Sequence, residues 1–136
     1  MKYIVFLQNA WSPLYAGGTW PRKSWLKALA RSRSGQRLKI IVKDDFDLCE
    51  NTTPIVGESA DSVIPPDVEY IKEIINRREP EIIVACGKQA EKVLVKLWDG
   101  PMIITTHPAC RVLKNSVYEK VRDLLLKGFN EKHLVV

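Results

Sequence analysis

The chain has 136 residues, with 21 Lys and Arg against 16 Asp and Glu, for a formal charge of +5. That length suits one domain with a real core, and the basic excess points to an anionic partner, nucleic acid first. No apolar run approaches the roughly 20 residues of a membrane span, and three scattered cysteines, Cys49, Cys86 and Cys110, exclude a disulfide framework and a CxxC metal pair, suiting a reducing, cytoplasmic compartment.

In chain order, "KYIVFLQ" reads as a first strand; it has no small-residue cleavage site and so is not a signal peptide. "PRKSWLKALARS" is a helix started by Pro21, with Trp25, Leu26 and Leu29 at core spacing. "RLKIIVK" is apolar and β-branched and reads as a second strand. From Asp44 to Pro66 no regular pattern appears, and an irregular stretch of about 23 residues is usually functional. "PPDVEYIKEIINRR" is a helix capped by Asp67, with Val68, Ile71, Ile74 and Ile75 on one face. "PEIIVACG" is a third strand, "GKQAEKVLVKLW" a helix and "PMIITTH" a fourth strand; "NSVYEKVRDLLLKGF" closes the chain as a helix capped by Asn115 or Ser116. Nearly continuous apolar strands alternating with helices predict one α/β domain over residues 1–136: a parallel sheet with helices on both faces, α/β/α.

The strand ends carry the chemistry. After the first strand, "LQNAWSPLYAGGTWPR" sets Trp11, Tyr15 and Trp20 in a Gly- and Pro-rich loop, as platforms for a flat ligand or as lids on the core. In "LCENTTP", Asn51 has a carboxamide that donates and accepts at once, as reading a pyrimidine edge requires, although an asparagine there is also a turn former. The acids of this region, Asp44, Asp45, Asp47, Glu50, Glu58 and Asp61, are too scattered to assign a general base and read mostly as solvated. Gly87 and Lys88 open a helix, which is a phosphate site in principle and a tight turn otherwise; the spacing is not that of a nucleoside-triphosphate loop. His107 precedes Pro108, which pushes it out of any helix and onto the strand-end edge where α/β sheets bind ligands.

In this order the four motifs resemble the uracil-DNA glycosylase superfamily, most closely its mismatch-specific thymine/uracil branch, over about residues 2 to 130. "VFLQNAW" resembles the water-positioning motif, with Asn9; "LCENTTP" resembles the base-reading segment, with Asn51; "IIVACGKQAEKVL" resembles the Gly-Lys/Ser-x-Ala turn; "THPACR" resembles the His/Asn-Pro-Ser loop, with His107. The resemblance implies a four-stranded sheet of order 2-1-3-4, here in a minimal version that departs from the family in having no helical region ahead of the first strand. It also implies a monofunctional DNA glycosylase of the DNA-repair type that excises uracil or a modified pyrimidine.

The implied roles are these. Asn9 orients water and His107 stabilises the departing base. Gln8, Trp20 and Asn51 hold the base. Ser12, Gly87, Lys88, Arg111 and Lys114 grip DNA phosphates. The wedge that enters the duplex lies among Cys110, Arg111, Val112 and Leu113. No cofactor and no metal is implied; the iron–sulfur branches use four cysteines, one more than this chain has. The partner is DNA, met by a monomer away from the membrane. Three departures stand out: Ala10 where proline is usual, Trp11 where the mismatch branch has glycine, and Ala109 in place of serine. They keep one rival open, a module of the same fold that binds DNA or a modified base without catalysis; a second, a flavodoxin-like enzyme or carrier binding a free nucleotide, stays open because fold alone never excludes it.

Overall fold

The computed structural model describes residues 2–136. Its elements in chain order are β1 (Tyr3–Leu7), α1 (Arg22–Arg31), α2 (Arg33–Val42), a 3-10 turn (Phe46–Leu48), β2 (Cys49–Asn51), α3 (Val68–Arg78), β3 (Ile82–Cys86), α4 (Lys88–Leu97), β4 (Met102–Thr105), α5 (Asn115–Lys127) and β5 (Leu134–Val135). The five strands form one parallel sheet in the order β2-β1-β3-β4-β5. Alternate residues of β1 divide the core. Val5 and Leu7 pack with Trp25, Leu38, Ile41 and Tyr118, so α1, α2 and α5 cover one face. Ile4 and Phe6 pack with Ile71, Ile74 and Leu94, so α3 and α4 cover the other. The α/β/α expectation holds.

The second strand is corrected. "RLKIIVK" is helical: Leu38, Ile41 and Val42 are buried at helical spacing, and Ser32 caps the helix by accepting the Gly35 N–H at 2.9 Å. Its β-branched residues are overruled by that cap and by the apolar face turned to the core. Gly35 belongs to the same arrangement, because a Cβ there would collide with the Leu29 carbonyl oxygen. The strand beside β1 is instead Cys49–Asn51, whose three residues are all buried and pair with Val5, Phe6 and Leu7. The expected four strands become five, since Leu134 and Val135 pair with Ile103 and Ile104. Both missed strands are too short to show a period.

Two smaller expectations also change. Asp67 does cap α3, accepting the Tyr70 N–H at 3.0 Å. Neither Asn115 nor Ser116 caps α5; Lys114 stands at that position and makes no side-chain cap. The stretch from Asp44 to Pro66 is not structureless either. Beyond β2 it is stitched to the loop after β1: Gly57 N–H donates to Ala10 O, Ser12 N–H to Gly57 O, Gly17 N–H to Val56 O and Val56 N–H to Gly18 O, each at 2.9 Å. The two loops brace each other over the same end of the sheet. No helix of the described residues is long and apolar enough to cross a membrane.

Candidate active site

Sheet order reverses between β1 and β3, and ligands of open α/β sheets bind outside the strand ends at such a point. Here the ends of β1, β2 and β4 face a cleft of about 780 Å³. Gln8, Asn9, Ser12, Trp20, Asn51, His107 and Arg111 all line it, although they come from segments up to a hundred positions apart. Trp11 stands in the wall, half exposed.

His107 follows β4 in a tight turn closed by the Cys110 N–H on its carbonyl at 3.0 Å. Its Nδ1 accepts the Ala109 N–H at 3.0 Å. A backbone N–H can only donate, so Nδ1 carries no proton and Nε2 carries the only one. Burial pushes the imidazole pKa below its ordinary 6.5, which favours the same neutral form. The ring is therefore a neutral Nε2–H donor. Gly87 makes room for it: φ there is +94°, and a Cβ would lie 3.2 Å from the His107 Cβ.

The turn is held from behind. One Arg37 Nη1 donates to the carbonyls of Pro108, at 2.8 Å, and Cys110. The Tyr118 hydroxyl, wholly buried, donates to the Thr106 carbonyl at 2.7 Å. Sequence reasoning missed both residues, because their partners lie 71 and 12 positions away and no local spacing relates them.

Asn9 is pinned at both ends of its carboxamide. Oδ1 accepts the Ile64 N–H at 3.2 Å and Nδ2 donates to the Ala10 carbonyl at 2.9 Å. One N–H and one lone pair remain for water. Asn51 closes the ladder opposite Leu7, is 9% exposed, and has no hydrogen bond from its carboxamide to another described residue. Trp20 is backed by Tyr15, ring centroids 5.3 Å apart and stacked, while its indole N–H donates to Ser24 Oγ at 3.0 Å. Ser12 is buried, and its Oγ accepts the Leu14 N–H at 3.2 Å.

The remaining assignments divide. Gly87 packs behind His107, and Lys88 and Lys114 are exposed outside the cleft wall. Of the scattered acids, Glu50 is not solvated: its carboxylate is 3% exposed between Arg22, at 2.6 Å, and Arg78, at 3.1 Å. Among the described residues, Asp61 is the only acidic side chain in the cleft wall. Burial pushes the Cys86 thiol up to about 12 and raises Cys49 further, so neither is a nucleophile near neutral pH. Among the described residues no three His, Cys, Asp or Glu side chains come together to hold a metal.

Comparisons with protein-family models, with curated proteins and with solved structures give no match. The site must therefore be read from its own chemistry.

Proposed function

We propose that the protein is a DNA glycosylase that excises uracil or a modified pyrimidine. The reading rests above all on His107: a neutral imidazole, its free N–H fixed by the Ala109 bond, in a cleft that also holds an uncommitted Asn51 carboxamide. An anionic leaving group needs such a donor, because a neutral N–H is fixed in place before charge develops on the base.

A base inside a duplex is out of reach of hydrolysis, so the nucleotide must swing into the cleft. Trp20, backed by Tyr15, offers a stacking surface, and Asn51 a donor and an acceptor for the pyrimidine edge. The C1′–N1 bond then breaks with its electron pair going to the base, where His107 Nε2–H stabilises the oxygen that gains charge. Water adds at C1′ and gives up a proton. Asn9, with one N–H and one lone pair left, orients that water; Asp61 is the carboxylate of the same wall suited to take its proton. Val112, 85% exposed one residue beyond Arg111, fits the wedge, whereas Leu113 is committed to the core and the Cys110 carbonyl is held by Arg37.

The deciding experiment uses a panel of duplexes bearing uracil, hydroxymethyluracil, hydroxymethylcytosine or mismatched thymine, with abasic sites read by alkaline cleavage. Excision from one of them is expected; binding without abasic sites on any would leave a non-catalytic module.

One observation favours a second reading. The order β2-β1-β3-β4-β5 is also that of flavodoxin-like sheets, which bind a free nucleotide at this switch point. Titration with mononucleotides against duplex DNA separates the two.

A further inference from the structure

Beside the cleft runs a second concavity, about 590 Å³, between the start of α2 and the His107 turn. Its wall is Arg33, Gln36, Arg37, Ala109, Arg111 and Asn115. Three of these six are arginines and none is acidic. Arg22, Arg77 and Arg78 elsewhere each pair with a carboxylate, whereas among the described residues Arg33, Arg37 and Arg111 pair with none. Three uncompensated guanidinium groups around one hollow repel each other, and an anion in the hollow offsets that repulsion. Guanidinium forks match phosphate oxygens in two-point geometry, and Gln36 and Asn115 add neutral donors. Arg37 is already immobilised on the Pro108 and Cys110 carbonyls, so less ordering cost attends a ligand there.

The groove is continuous with the cleft: Arg33, Ala109 and Arg111 line both. A ligand that filled both would be flat and polar-edged at one end and anionic at the other. We propose that this groove is a phosphodiester subsite, built by α2 and the His107 turn, that holds the strand next to the nucleotide occupying the cleft. The inference rests on the glycosylase reading for its choice of a nucleic-acid strand. The Arg37 clamp gives it a consequence: a phosphate seated in the groove lies against the same turn that carries His107, so backbone binding and the catalytic donor share one support.

The test measures affinity for a labelled duplex carrying 2′-fluoro-2′-deoxyuridine, which resists glycosidic hydrolysis, at several salt concentrations. The proteins are wild type, Arg33→Gln, Arg33→Gln with Arg111→Gln, and Lys92→Gln. Lys92 lies on α4, across the sheet, and controls for net charge alone. Removing one phosphate-binding cation should lower the salt slope by about 0.9. The double variant should therefore lose about one unit of slope or more and about tenfold or more in low-salt affinity, with thermal unfolding unchanged. A slope for the double variant equal to that of Lys92→Gln overturns the subsite. So does a titration in which inorganic phosphate or deoxyuridine monophosphate binds in an Arg33-dependent way while the duplex does not, since that makes the groove a free-nucleotide site. The two readings fail separately. Groove-dependent duplex binding without excision on any substrate removes the glycosylase reading and keeps the subsite; excision with an unaltered slope does the opposite.

Discussion

Arg37 reaches across 71 positions of sequence to donate to the Pro108 carbonyl at 2.8 Å, and the same Nη1 meets the Cys110 carbonyl. A charged donor on two backbone acceptors fixes the turn that aims His107, and hydrogen bonds to a charged group contribute about 1.5–3 kcal/mol each. Arg37→Met should therefore lower excision by about tenfold or more while Nε2 of His107 is still present. Arg37→Lys, which keeps a charged donor but on a side chain that reaches less far, should recover only part. Single-turnover rates and thermal unfolding of both variants check this. If stability falls in both and the rate per folded molecule does not, the clamp is structural only.

His107→Ala removes the proposed leaving-group donor from a turn that contributes little to the core. Base release should fall by about two to three orders of magnitude, the usual cost of one such donor, with folding retained. Wild-type excision by a folded His107→Ala protein would end the mechanism.

The pH dependence follows from the neutral ring. Its folded pKa lies below the unfolded 6.5, so the unfolded chain takes up a proton first as pH falls. Stability linked to His107 is fully present above about 6.5 and is lost as pH falls through the folded pKa. Protonation also puts a proton on Nδ1 and breaks the Ala109 bond. Excision should hold level above pH 6.5 and decline below the folded pKa. His107→Gln should remove that acid limb from the rate profile, and a limb that survives belongs to another group, with Asp61 next to be changed.

Asn51→Asp replaces a donor-and-acceptor carboxamide with an acceptor-only carboxylate at a 9%-exposed position. The base accepted should change, with affinity for undamaged duplex nearly constant. Competition among the four modified duplexes reads the change. An unchanged preference means that Asn51 does not touch the base.

Glu50 joins α1 and α3 to the edge strand through Arg22 and Arg78, the carboxylate buried and the two arginines partly exposed. Glu50→Gln keeps the shape and leaves the two arginines with the exposed Asp47 carboxylate alone, at 3.0 Å from Arg22 and 3.9 Å from Arg78, and with water. The expected loss is about 1–3 kcal/mol, less than for a fully buried pair. Urea unfolding measures it, and an unaltered midpoint would mean that the charge is dispensable there.

Much of this was legible in the residues alone. The apolar runs at Tyr3–Leu7, Ile82–Cys86 and Met102–Thr105 declare strands because burial on both faces demands unbroken apolar side chains, and Asp67 announces α3 because an unsatisfied helix start needs an acceptor. Pro108 alone sets His107 outside a helix. Tertiary structure decided the rest. "RLKIIVK" satisfies strand and helix patterns alike, and only the Ser32 cap and the packing of Leu38, Ile41 and Val42 choose the helix. Cys49–Asn51 and Leu134–Val135 are strands because a neighbour's backbone groups need partners, a condition that no residue of either segment carries. The convergence of Arg33, Arg37 and Arg111, and the tautomer of His107, depend in the same way on segments brought together by the shared core, where sequence spacing carries no distance.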